Sequence, residues 1–276
     1  MDFAGRTAVV TGGGSGIGRG LALTWAAEGM NVVVADLRTE AAEAVADEVR
    51  AMGREAEAVA CDVAAQPSVE ELAARAYERF GSVELLCNNA GVGTYGAVLD
   101  ATPADWDWIL SVNLYGIVHG VGAFVPRMRA QGGPAHVLNT GSAATITAGN
   151  FGNGLYLASK AAVSALTERL RKELRPDGIG VSLLLASRVA TAIHQTSAQN
   201  RPAELGPMPE HRPDPVSNDA PTLAALDPLE VGRIARDGVK ANRAFIHTDR
   251  ALRAGVLERN ADIVEAFAFV EAASRE

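Results

Sequence analysis

The chain has 276 residues, 48% hydrophobic and 21% charged. That balance excludes a disordered polymer and allows a sizeable core. The formal charge of −8 offers no basic surface to a nucleic acid, no apolar run of membrane-spanning length is expected, and the start Met1-Asp2-Phe3-Ala4-Gly5-Arg6 lacks the form of a signal peptide, so a cytoplasmic location is expected.

Apolar strand-like runs alternate with amphipathic helical stretches from the first residues. Strands are expected at 7–10, 31–35, 56–60, 83–87, 135–139, 181–185 and 244–247, and helices at 16–28, 40–52, 68–80, 103–129 and 156–174. The helix at 103 is announced by Thr102-Pro103-Ala104-Asp105: an N-cap, a proline at the first helical position and a carboxylate at the third. Such β–α alternation predicts an α/β fold, a doubly wound, Rossmann-like parallel sheet of about seven strands with helices on both faces. Cys61 and Cys87 close predicted buried strands and read as core thiols of a reducing compartment rather than as a disulfide or a metal site.

After Ala190 the alternation stops. Residues 195–225 hold half of the chain's 12 prolines. A stretch of this length inside a compact domain is commonly functional, and its place after the sixth strand predicts a substrate lid over about 192–227. Asp227-Pro228-Leu229-Glu230 opens a further helix with the same capping grammar. A C-terminal helix is expected over about 249–274. Leu252, Val256, Ile263, Phe267 and Val270 fall near helical spacing there, a stripe expected to pack on its own domain, with burial against a second subunit as the alternative. The whole of 1–276 is read as one dinucleotide-binding and catalytic domain.

Thr11-Gly12-Gly13-Gly14-Ser15-Gly16-Ile17-Gly18 lies between the first strand and the first helix. Glycines permit a tight turn and close approach of a phosphate to the backbone, and a helix N-terminus presents N–H groups and positive dipole. The spacing is Gly-x-x-x-Gly-x-Gly rather than the Gly-x-Gly-x-x-Gly fingerprint. Asp36 ends the second strand, where a carboxylate accepts from both ribose hydroxyls of an adenosine and repels a 2′-phosphate.

Tyr156 and Lys160 stand four residues apart on a predicted helix and so share a face. A free tyrosine titrates near ~10, and a neighbouring ammonium favours the phenolate. The pair therefore reads as a tuned general acid/base.

The glycine loop, Asn88-Asn89-Ala90-Gly91, Asn113, Ser142 and Tyr156-x-x-x-Lys160, in this order, resemble the short-chain dehydrogenase/reductase family over residues 5–191 plus the last strand. The resemblance implies Tyr156 as proton donor or acceptor, and Lys160 lowering its pKa and binding the nicotinamide ribose. It implies Ser142 holding the substrate oxygen and Asn113 keeping a water in the proton relay. Gly12, Ser15, Gly16, Ile17, Gly18 and Asp36 would bind the cofactor, Asp62 and Val63 its adenine, Asn89, Ala90 and Gly91 the stretch after strand four, and Val189 and Thr191 the nicotinamide side. Members that use NADP often carry a basic residue at the positions of Ser15 or Leu37, so NAD is the implied cofactor. Where the family usually has Pro-Gly after strand six, this chain has Ala186-Ser187.

A narrower resemblance, carried by Trp106-Asp107-Trp108-Ile109, residues 112–128 and the helical tail, is to the subgroup with Cα-dehydrogenases of lignin-type aryl ethers. Tyr95, Phe151, Leu155 and the lid would then line an apolar pocket. The reading is an oxidoreductase moving hydride between NAD(H) and a secondary alcohol or ketone, aromatic or otherwise apolar, as a homodimer or homotetramer without nucleic-acid or membrane partners. The rival from another class is a non-catalytic nucleotide-binding regulator, which need not keep Asn113, Ser142, Tyr156 and Lys160. An epimerase or dehydratase of the longer related fold would need more chain after Ala190.

Overall fold

The computed structural model describes residues 3–147, 153–208 and 224–273. Among the described residues seven strands form one sheet: β1 (Thr7–Thr11), β2 (Asn31–Asp36), β3 (Ala56–Ala60), β4 (Leu85–Asn88), β5 (Ala135–Thr140), β6 (Ile179–Leu185) and β7 (Phe245–His247). Their order is β3-β2-β1-β4-β5-β6-β7, and every pairing is parallel. Parallel strands need crossovers, and the helices that supply them bury both sheet faces. The central strands β1, β4 and β5 are accordingly buried at every position.

Among the described residues the helices are α1 (Gly16–Ala27), α2 (Thr39–Ala51), α3 (Gln66–Phe80), α4 (Pro103–Leu110), α5 (Gly116–Gln131), α6 (Gly154–Leu174), α7 (Ile193–Asn200), α8 (Pro228–Lys240) and α9 (Arg253–Ala273). Two core layers result. One joins Leu21, Trp25, Val34, Val45, Val231 and Ile246, and the other joins Val33, Leu72, Leu86, Phe124, Val137 and Leu174. The chain reverses direction across the sheet between β1 and β4, so the carboxyl ends of these strands flank the crevice in which open α/β sheets bind ligands.

Several expectations need correction. The predicted strand 83–87 begins two residues later, at Leu85; Glu84, just ahead of it, bonds Thr7 through both its N–H and its carboxylate, the latter at 2.9 Å. The predicted helix 103–129 is two α-helices joined by a π-turn, Ser111–Tyr115. Together they form one helix of 29 residues, Pro103–Gln131, long and apolar enough to cross a membrane by length and composition. No such run was expected, because charged and polar residues punctuate the sequence. Half of its most apolar stretch is buried, with Ile109, Ile117, Phe124 and Met128 almost wholly covered, as in a core helix.

The expected lid is partly regular structure. Residues 193–200 form α7, and Ala203–Leu205 form a 3₁₀ turn. Positions 209–223, with four of the six prolines, lie outside the described residues. The C-terminal stripe does not pack on its own domain as expected. Leu252 sits against the core beside Ile117, Val163 and Leu183, but Leu257, Ile263, Val264, Phe267 and Val270 are exposed. The periodicity was that of a helix, and period alone does not say that these five side chains would be exposed.

Candidate active site

The first helix starts without a side-chain cap. Ser15 is the N-cap and makes no capping hydrogen bond, and the first turn holds no acidic residue. The N–H groups at this helix end are therefore left for an anion. The glycines before it are required by close packing. A Cβ at Gly12, whose φ is +61°, would lie 2.8 Å from the Ala90 Cα, and one at Gly18 would lie 2.0 Å from the Gly12 carbonyl oxygen. Ile17 packs against the first core layer. At Gly16 (φ +51°), a Cβ would lie 3.0 Å from the Thr191 methyl group, so the chain leaving β6 passes against the glycine loop.

Asp36 is 7% exposed. Its carboxylate accepts the Gly14 N–H and the Arg38 N–H, each at 3.0 Å, and so ties the β2 end to the loop. Asn89 ties the same loop from the other side. Its Nδ2 donates to the Thr11 and Gly12 carbonyls at 3.1 and 3.3 Å, and its Oδ1 accepts from the Thr140 hydroxyl at 3.2 Å. The Thr11 hydroxyl accepts from the Asn89 and Ala90 N–H groups. Val63 is buried beside Gly116, while Asp62 is exposed and accepts the Ala64 N–H at 2.9 Å. Val189 pairs with Leu226 and packs on the first core layer, which commits its side chain to the fold. The residues present fit a dinucleotide: an uncapped helix N-terminus, a loop whose glycines admit no side chain, and a carboxylate at the next strand end.

Four predicted catalytic residues converge one strand away. Ser142 follows β5; its hydroxyl accepts the Ala144 N–H at 3.3 Å and lies near enough to the Tyr156 phenol to favour its ionised form. Lys160, 4% exposed, donates from Nζ to the Thr140 carbonyl at 2.8 Å, and the Nζ lies 6.0 Å from the Tyr156 ring centre. Asn113 is 0% exposed. Its Oδ1 accepts the Val92 N–H at 2.8 Å, and its Nδ2 donates to the Val92 carbonyl and the Ser159 hydroxyl, both at 2.9 Å. Ser159 in turn donates to the Tyr156 carbonyl at 2.7 Å. A Cβ at Gly91 would fall 3.1 Å from the Asn113 Oδ1 and 3.4 Å from the Lys160 Nζ, so the chain after β4 closes on both.

The electrostatics correct one expectation. Burial pushes the Tyr156 phenol up from its ordinary value, opposed by the Ser142 hydrogen bond, and burial pulls Lys160 down to about 8. Lys160 is buried and Tyr156 half-buried, and desolvation disfavours both charged forms. Burial therefore favours the neutral phenol, the opposite direction to that expected from the neighbouring ammonium.

Apolar surface gathers beside the phenol. Val92, Trp108, Ile109 and Leu155 form a cluster against which Tyr156, Trp106, Leu205 and Met208 pack. The Tyr95 ring stacks on His194 of α7 at 4.2 Å between centroids, and the Gly93 N–H donates to the buried Ser197 hydroxyl at 2.8 Å. Phe151 lies outside the described residues. At the position of the usual Pro-Gly, the Ala186 carbonyl accepts the Ala143 N–H at 2.9 Å. The Ser187 N–H donates to the Thr248 hydroxyl at 2.9 Å, and its own hydroxyl reaches Asp249 at 3.3 Å. Hydrogen bonds thus hold a turn that ring closure would otherwise stiffen.

Sequence reasoning missed Thr11, Thr140 and Ser159, which position the predicted residues. Thr11 opens the glycine motif and was visible there. Thr140 and Ser159 act through partners that no short spacing reveals.

The family model for short chain dehydrogenases matches residues 6–202, and the chain belongs to that family. It is 33% identical over 273 residues to a C alpha-dehydrogenase of Sphingobium sp., covering 98% of this chain and 89% of that one. Among solved structures, a short chain dehydrogenase/reductase from Burkholderia phymatum in complex with NAD has a TM-score of 0.87 at 36% identity, with 96% of each chain covered. The apo form of LigD from Sphingobium sp. strain SYK-6 has a TM-score of 0.80 at 30% identity, covering 96% of this chain and 98% of that one.

Proposed function

We propose that this chain is an NAD-dependent oxidoreductase that interconverts a secondary alcohol and its ketone, with an apolar or aryl group beside the reacting carbon. The observation that carries the reading is the Tyr156 phenol with the Ser142 hydroxyl near it, a buried ammonium 6.0 Å from its ring centre and an apolar wall. Bound NAD would supply the hydride acceptor in oxidation and, reduced, the hydride donor in the reverse direction. In oxidation Tyr156 Oη takes the hydroxyl proton of the substrate, and in reduction it returns that proton to the carbonyl oxygen. Ser142 donates to the same oxygen as charge develops there. A charged Lys160 would favour the phenolate of Tyr156, against the burial that raises the phenol. The Asn113 side chain bonds Val92 and Ser159 and so fixes the π-turn in which Asn113 would keep a relay water. π-turns inside helices are frequent at functional sites.

The cofactor roles assigned to Gly12, Ser15, Gly16, Ile17, Gly18, Asp36, Asp62, Val63, Asn89, Ala90, Gly91 and Thr191 are part of this proposal. Val189 contributes by its backbone, since its side chain is in the core. NAD over NADP rests on Asp36, and the bound NAD of the Burkholderia relative supports it. The aryl preference draws on the resemblance to Cα-dehydrogenases of lignin-type aryl ethers, with a C alpha-dehydrogenase among the relatives, and on Trp106, Trp108 and Leu155 around the phenol. A cytoplasmic homodimer or homotetramer is proposed from the free buried thiols and from the exposed apolar side chains of α9 and of Tyr115 and Val118 on the long helix. The test is a cofactor-reduction screen of aryl, steroid and sugar alcohols with NAD and NADP in parallel. Turnover with an aryl secondary alcohol and NAD is expected. Tight NAD binding without turnover of any alcohol would favour the regulator instead.

A further inference from the structure

Arg201 follows α7 and is buried, its side chain 5% exposed against 14% for Asp105. Its guanidinium makes a set of directed contacts. The Nη2 donates to Asp105 Oδ1 and to the Leu205 carbonyl, and the Nε donates to the Gly206 carbonyl at 3.0 Å. The guanidinium carbon stands 5.1 Å from the Trp108 ring centre. The other oxygen of Asp105 accepts the Thr102 N–H at 2.9 Å and the Thr102 hydroxyl at 2.7 Å, closing the capping box of α4. One carboxylate therefore fixes the start of α4 with one oxygen and the far side of the lid with the other.

We propose that Arg201 is a positioning residue for the substrate pocket: through Asp105 and Trp108 it latches residues 203–208 onto the apolar cluster around Tyr156 and so sets how tightly substrate is held. The inference rests on the function proposed above. Leu205 and Met208 touch the same cluster as Tyr156 and Leu155, and two of the three lid carbonyl and carboxylate acceptors of Arg201 belong to Leu205 and Gly206. Ser197 and His194 hold the preceding turns to Gly93 and Tyr95, so the segment is pinned at both ends across the pocket. Core packing alone does not call for this group. A buried ion pair is commonly replaced by apolar side chains without loss of stability, and Arg201 Nη1 is buried with no hydrogen-bond partner, a cost that packing does not explain. A planar fork with fixed donor directions specifies geometry that an apolar side chain does not.

The test compares the full-length wild type with Arg201→Met, Arg201→Lys and Asp105→Asn, using NAD and the best secondary alcohol of the screen. If the latched arrangement falls to about a tenth of the population, apparent affinity falls about 10-fold. The alcohol KM is expected to rise ~10-fold or more in Arg201→Met, less in Arg201→Lys, with kcat at saturation and the NAD KM little changed. Amide hydrogen exchange in residues 193–208 should speed up while that of β1, β4 and β5 stays as in the wild type. An unchanged alcohol KM, or an NAD KM that rises in parallel, overturns the proposal in favour of a merely structural pair. If Arg201→Met does not fold, Asp105→Asn carries the same comparison, since its amide oxygen still caps Thr102. If the wild type turns over no alcohol, the functional reading fails by itself. The exchange experiment still decides the latch, because unchanged protection of 193–208 in Arg201→Met refutes it.

Discussion

Replacing Lys160 with Met separates its chemical role from its cost to the fold. The Nζ is buried with one carbonyl partner, and burial pulls its pKa from 10.5 to about 8. At about 1.4 kcal/mol per pH unit, the charged form is less favourable by ~3 kcal/mol in the native state than in the unfolded chain. The sign follows from proton counting. Below pH ~8 both states hold the proton, so the stability is flat and at its lowest. Between ~8 and ~10.5 the unfolded chain holds a proton that the native protein has lost, and stability rises with pH. Above that range both are neutral. Relative to Lys160→Met, the cofactor-free wild type should gain up to ~3 kcal/mol between pH 8 and 10.5. At pH 7 the variant sheds the buried charge but strands the Thr140 carbonyl, worth ~1–3 kcal/mol, so the two should be similar in stability. Urea unfolding of both proteins at pH 7, 8.5 and 9.5 measures this, while turnover of the variant should fall ~10²-fold or more. A difference that does not change with pH would refute the buried-ammonium argument, whatever happened to turnover.

Tyr156→Phe removes the ionisable oxygen and keeps the ring, so turnover should fall ~10²-fold or more with NAD affinity nearly unchanged. Near-native rates would remove Tyr156 from the chemistry. Because burial raises this phenol, the rate of alcohol oxidation should climb towards alkaline pH and that of ketone reduction should fall, and a flat profile in both directions counts against Tyr156 as the titrating group. Asp36→Ala with Leu37→Arg deletes a repulsion and adds a phosphate partner, so NADP should improve at the expense of NAD; a wild type that already prefers NADP would overturn the reading of Asp36. Removing residues 253–276 takes away exposed apolar side chains while Leu252 stays in the core, so the native mass in sedimentation should drop with little loss of thermal stability. An unchanged mass would show that α9 holds no subunits together.

What the sequence made legible was what depends on short range. The glycine loop, Asp36 and the Tyr156–Lys160 pair are each written within a few residues or at the end of one strand, and the structure puts them at the carboxyl edge of the sheet. Strand and helix limits shifted by one to a few residues because a ladder ends where partners end: Val83 is as buried as Leu85, yet pairing starts at Leu85. The π-turn at Asn113 has no local signal, and the Asn113 side chain in it bonds Val92, 21 residues away.

The remaining misreadings share a physical source. Spacing says which side chains share a face, and says nothing of what lies opposite it or how much water remains. Tyr156 and Lys160 were placed correctly as neighbours, but the sign of the phenol's shift is set by burial beneath residues distant in sequence. The same holds for α9, where a helical period fitted Ile263, Phe267 and Val270 and their exposure could not be read from it. It holds again for Arg201 and Asp105, 96 residues apart. Asp105 was legible as a capping residue, and that role uses one of its oxygens. The second oxygen is what joins the lid to the helix beside the phenol, so substrate affinity in this fold should respond to a residue whose local grammar announces only a helix start.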